Sequence, residues 1–224
     1  MNKQQRAART RDALIRSAAE LFERHGYDKA RLAEISSGAG VSSGALHFHF
    51  ENKAAVADAV EDAACLSLRR AAHKVSLCRT SPLQALTDVS HIFAYLLSCD
   101  VVVSAGFRLS CDPTRQKELN LRQEWHSCVQ QLLTRASDDD ILTREVSLQH
   151  LVASVMAATV GLEVLGRDNK EWLSRRSLTG LWQLLLPRMA ARHAQDTVDP
   201  SGTDLVINAW ALSMGSGSLS PPAR

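Results

Sequence analysis

At 224 residues the chain has room for one large domain or for a small domain beside a larger one. Hydrophobic residues make up 45% of it, yet the sequence shows no apolar run near the ~20 residues of a membrane span. The polar, basic start lacks the apolar middle of a secretory signal, so a cytoplasmic protein without a membrane partner is expected. A net charge of +2 says little about partners, but five basic residues in residues 1–16 (Lys3, Arg6, Arg9, Arg11, Arg16) face one acid, Asp12. Such an arm can pair with phosphates. The five cysteines are odd in number, widely spaced and free of any C-x-x-C pair, which excludes a disulfide framework and a zinc set.

Along the chain, Leu14, Ile15, Ala18, Leu21 and Phe22 form one stripe, which predicts an amphipathic helix over residues 5–25 ended by a left-handed Gly26. Tyr27 is expected to pack back. A short helix fits residues 32–38, with Leu32 and Ile35 inward; Asp28 is its nearest cap candidate. Ala39-Gly40-Val41 reads as a tight turn. Ser42 then caps a third helix to Phe50, with Leu46 and Phe50 on its inner face and Ser43 and His47 on another. Asn52 caps a long fourth helix from 53 to about 75.

Beyond that point Ser81-Pro82 opens a helix reaching Cys99. Asp112-Pro113 precedes another from about Thr114 to Ala136, and two long segments follow at 146–165 and 172–193. The run Asp138-Asp139-Asp140 reads as a solvated connection. No strand-like alternation and no repeat is present, so the fold class is all-α. The division expected is 1–52 for the helix-turn-helix, 53–195 for a helical domain, and 196–224 for a mobile tail in which residues 205–212 are apolar enough to dock.

Three short helices with a glycine turn between the second and third make a helix-turn-helix, whose second member enters the major groove. Small residues at its start let the backbone approach phosphate. The pattern Ile35-x4-Gly40-Val41-Ser42-x-Gly44-Ala45-Leu46-x-Phe48-His49-Phe50-x2-Lys53, preceded by Leu21-Phe22-x3-Gly26-Tyr27, resembles the DNA-binding signature of the TetR family over about residues 6–60. The resemblance implies that Ser42, Ser43, Gly44, His47, Phe48 and His49 face the groove, with Lys53 and the Arg9 arm at phosphates. Ser43 and His47 stand where the family often has Lys and usually Tyr, so no operator sequence carries over.

For the larger domain the resemblance implies a homodimer and a ligand pocket. Leu151, Val155, Ala158 and Leu162, with Leu178, Leu181, Trp182, Leu185 and Leu186, supply a four-helix seam that places two reading helices about one DNA turn (~34 Å) apart on a palindrome. Gly106-Phe107-Arg108-Leu109-Ser110, Trp125, Leu132-Leu133-x-Arg135-Ala136, Gly161 and Trp182 with Leu186-Pro187 resemble the γ-butyrolactone receptors of that family, which govern antibiotic production in streptomycetes. That likeness implies a small apolar signal packed on Trp125, with Tyr95, Val129, Met156 and Val160 around it and Gln130 and Thr159 as polar contacts. Where many such receptors carry a glutamine on the fourth helix this chain has Ala63-Ala64, which points to a furan or butenolide head as readily as to a butyrolactone.

Two other readings compete. A repressor that ignores such signals, or answers an antibiotic, acting alone or as a heterodimer, fits the same motifs. An all-helical enzyme fits them poorly: Cys128 and His126 are two apart on a helix and diverge, and no nucleophile elbow, zinc motif or phosphate loop occurs. His47 and His49 diverge likewise. No catalytic residue, metal or cofactor is therefore expected.

Overall fold

The computed structural model describes residues 3–115, 117, 120–204 and 208. Among them nine α-helices and two 3-10 turns occur and no strand. In order these are α1 (Lys3–His25), α2 (Leu32–Gly38), α3 (Ser43–His49), α4 (Lys53–Leu77), α5 (Pro82–Cys99), α6 (Val101–Ser110), α7 (Leu121–Asp138), α8 (Leu148–Gly166) and α9 (Arg175–Met189). The 3-10 turns are Lys170–Leu173 and Arg192–Thr197. By its contacts the chain divides into a unit of residues 1–68 with 96–125 and a unit of 69–95 with 126–224. That division does not follow the boundary expected at 52/53: it runs through α4 and α7, and it places α6 with the helix-turn-helix.

In the first unit the core is built where the apolar stripe of α1 meets α2, α3 and the start of α4. Leu14, Ala18, Phe22, Ile35, Leu46, Phe50, Val56 and Val60 are all buried there. The buried Ser17 hydroxyl donates to the Ile35 carbonyl at 2.9 Å, which ties α1 to α2. Gly26 and Gly40 have φ of +78° and +68°, the left-handed values that their turns require and other residues avoid. Tyr27 packs back on Phe22, with ring centroids 5.7 Å apart.

Most caps follow the chemistry read from the sequence. Ser42 accepts from the Ala45 N–H at 3.2 Å and Asn52 from the Ala55 N–H at 2.9 Å. Ser81 accepts from the Gln84 N–H at 3.2 Å. The start of α2 is a correction: Asp28 does not cap it, and instead the Glu34 carboxylate reaches back to accept from the Arg31 N–H at 3.3 Å. Asp100, whose carboxylate accepts from Val102 N–H at 2.9 Å, starts an α6 that the sequence left unassigned.

The helix expected from Thr114 begins only at Leu121. Before it, Arg115 and Lys117 make long-range ion pairs. Arg115 meets Asp58 at 2.6 Å and Glu61 at 2.8 Å, and Lys117 meets Asp62 at 2.6 Å. Glu61 is 1% exposed. Burial pushes its carboxyl above the ordinary value, against the pull of the Arg115 guanidinium. Arg108 on α6 pairs with Glu23 on α1 at 2.6 Å, and Ser104 donates to the same carboxylate.

In the second unit α5 carries a buried polar row that receives the chain after α9. Gln84 accepts from the Asp199 N–H at 2.7 Å, Asp88 accepts from the Thr203 N–H at 2.8 Å, and His91 donates to the Pro200 carbonyl at 3.0 Å. Residues 199–203 are therefore strapped to α5, within the stretch expected to be a mobile tail from residue 196. Residues 205–212, expected to dock, lie outside the described residues except for 208. Asp138 ends α7 and Asp140 pairs with Arg144 at 3.0 Å in the open, as a solvated connection would.

Candidate nucleic-acid interface

Helix α3 is seven residues long and is anchored from beneath by Leu46, 1% exposed, and by Phe50 just after its end. Ser42, Ser43, Gly44, His47 and Phe48 are consequently all exposed, Phe48 to 80%. Nothing but the Ser42 hydroxyl, at 3.9 Å, lies within reach of a Cβ placed on Gly44, so the helix start is open to a partner.

His49 differs from its neighbours. It is half-buried, edge-on to Phe48 at 5.1 Å and 6.4 Å from the Phe50 ring. It steadies Phe48 as much as it faces outward, and His47 is left as the exposed imidazole of the pair. Among the described residues no group of histidine, cysteine and acid side chains is placed to hold a metal.

The cations flank this helix. Arg9 is exposed on α1, and Arg11, two residues on, lies over the Phe50 ring at 5.5 Å. Lys53 does not stand clear of the protein: its ammonium donates to the Tyr27 and Asp28 carbonyls at 3.0 Å each and sits 4.5 Å from the Tyr27 ring centroid. It braces the loop between α1 and α2 against α4, with one of its three protons left over for an anion. That bracing, and the Arg11 contact, join residues 25 or more apart and carry no sequence signal beyond residue type.

The seven residues assigned to a ligand are divided between the two units. Trp125 is 1% exposed and belongs to the first unit; the other six belong to the second. There Val129 is fully buried, Met156, Thr159 and Val160 are half-buried, and Tyr95 is 37% exposed. Thr159 donates to the Val155 carbonyl at 2.9 Å. Gln130 is exposed. At the position of the missing glutamine, Ala64 is fully buried, and a Cβ on Gly106 would come within 2.6 Å of its methyl, so α6 occupies that space. A cavity of about 490 Å³ does exist in the second unit, but none of the seven lines it.

Of the seam residues, Leu151, Val155, Leu178, Trp182 and Leu186 are buried within the chain itself. The open apolar side chains are others: Val164 and Leu165 on α8, Trp172, and Leu184 on α9, the last 77% exposed. By length and composition α8 would suit a membrane, contrary to the sequence reading, and 22% of its most apolar stretch is buried.

Residues 14–60 match the family of bacterial regulatory proteins named tetR. The chain is 26% identical over 211 residues to the A-factor receptor protein of Streptomyces griseus, covering 93% of this chain and 74% of that protein. Its fold is similar to that of a γ-butyrolactone receptor described as ArpA-like, at a TM-score of 0.74 and 25% identity over 94% of this chain and 99% of the other. It is similar too to the TetR family protein CprB from Streptomyces coelicolor in complex with its operator, at a TM-score of 0.72 and 27% identity over 94% and 99%.

Proposed function

We propose that this chain, which resembles the γ-butyrolactone receptor group of the TetR family, is a cytoplasmic repressor of that family, not an enzyme, which binds a palindromic operator as a homodimer and releases it when a small apolar signal binds. The carrying observation is α3, a short capped helix that turns only Leu46 inward and leaves Ser42, Ser43, Gly44, His47 and Phe48 open. Uncharged donors and acceptors of this kind read base edges, while Arg9 and the spare Lys53 proton meet phosphates.

A second copy is the partner that suits α8 and α9. Contiguous exposed apolar surface marks an interface, and a two-fold pairing of these helices gives the half-site spacing that a palindrome requires. The relatives support the signal class: one is a receptor for A-factor, and the other for a γ-butyrolactone. Tyr95, Val129, Met156, Thr159 and Val160 are proposed to contact the signal, and Trp125 to respond to its binding. Release follows only from a difference in affinity between two states; about 5.5 kcal/mol, a ~10⁴-fold preference, moves an equilibrium from 1:99 to 99:1.

Gel-shift titration with butyrolactones, butenolides and alkylfurans tests this. Release of a specific DNA duplex by one of these classes is the expected result. Retention of DNA at every concentration, with Trp125 fluorescence unmoved, would sink the inducible form and leave the second reading, a signal-blind repressor. That second reading has one observation in its favour, the closure of the Ala64 position by α6.

A further inference from the structure

The cavity of the second unit is unlike the apolar site expected around Trp125. At about 490 Å³ it lies within the ~300–1,000 Å³ of small-molecule sites. It is formed where the last turns of α4, the start of α5 and the middle of α7 meet. Its floor is apolar: Val75, Ala85 and Val89 are buried beneath it. Its rim is cationic and exposed, with Arg79 and Arg135 beside His73 and Gln131.

Three features point to the charge of an occupant. No Asp or Glu lines the cavity, although the chain has 24 of them. The guanidinium groups of Arg79 and Arg135 have no hydrogen-bond or ion-pair partner among the described residues, so both forks are available to an occupant. The Thr80 hydroxyl, also in the lining, is buried without a partner. A buried hydroxyl is costly to leave unsatisfied, and guanidinium forks match the two oxygens of a carboxylate.

We propose that this cavity binds a small organic anion, a carboxylate on an apolar body. Arg79 and Arg135 hold the carboxylate, Thr80 donates to it, and Val75 and Val89 lie under the apolar part. None of the residues assigned to the lactone-type signal is involved, so the proposal goes beyond that reading and is independent of it.

Calorimetric titration of the full chain with octanoate, and with 1-octanol as its uncharged counterpart, tests it without DNA. Octanoate binds once per subunit and at least tenfold more tightly than 1-octanol. The Arg79→Gln/Arg135→Gln double variant loses at least tenfold for octanoate and nothing for 1-octanol, and Thr80→Val loses a smaller factor. Both arginines are exposed, so circular dichroism of the double variant matches the wild type; if it does not, Arg135→Gln alone is read in its place. Absence of octanoate binding at millimolar concentration overturns the proposal. So does equal binding of 1-octanol, which means an apolar cavity only, and so does an unchanged affinity in the arginine variants.

Discussion

Helices α3 and α8 are both open to solvent, for opposite reasons. What α3 presents is short and hydrogen-bonding, Ser42, Ser43, the Gly44 backbone and His47, with one large apolar ring, Phe48, and its inner side is anchored by Leu46. What α8 presents is apolar along most of its length, and it keeps few residues inside the chain. Water satisfies the first surface until base edges and phosphates replace it, as suits a wet, polar interface. Water cannot satisfy the second, which gains only by contact with another apolar surface. Exposure alone therefore does not identify a partner; the chemistry of the exposed groups does.

The sharpest way to break this comparison is Gly44→Glu. A carboxylate at the start of a helix favours the helix itself, and the site has room for a side chain. The protein therefore melts as before while operator affinity falls by about 100-fold, because the new charge opposes phosphate. Gel shifts at fixed salt and thermal melts check both halves. A variant that keeps its DNA affinity removes α3 from the interface.

A somewhat smaller effect is expected from Leu184→Glu. This side chain is 77% exposed, so the isolated subunit should change by no more than about 0.5 kcal/mol, while sedimentation at micromolar concentration shifts from dimer toward monomer. Operator affinity drops with it, by about tenfold or more, since one half-site holds weakly. An unaltered sedimentation profile places the second copy elsewhere.

The smallest effect is a pH slope in the second unit. Burial lowers the His91 pKa below its ordinary value. The unfolded chain then takes up a proton that the folded chain refuses, so this group's contribution is present above about pH 6.5 and is lost as pH falls toward the folded value. Asp88 acts in the other sense, since burial raises its pKa and its contribution fades as pH rises through that value. Replacing His91 with Gln isolates the first term. The loss of melting temperature between pH 7 and pH 5 becomes shallower than in the wild type, and an identical slope would mean that the strap does not sense His91.

How much of this was legible varies by element. Helix starts at Ser42, Asn52 and Ser81 were readable because a cap is a local bond, made within three residues. The start of α7 was not, and the residues ahead of it include Arg115 and Lys117, which pair with acids more than fifty residues away. Helix α3 was legible to the residue in its exposed positions, except that His49 is half-buried against two phenyl rings. The cationic cavity was not. Its residues recur at helical spacing on α4 and α7, but so do those of any core stripe, and only the approach of α4, α5 and α7 turns two exposed arginines into one rim.

By itself the sequence determined the all-helical class, the helix-turn-helix and the side chains that α3 presents, because periodicity, caps and left-handed glycines act over a few residues. Tertiary structure decided the rest: that α6 stands with the unit that holds α1 to α3, that residues 199–203 are strapped to α5, that Lys53 braces a loop, and where a cavity remains. Those outcomes depend on groups far apart in the chain meeting with the right charge and shape, and such meetings leave no period in the sequence to read.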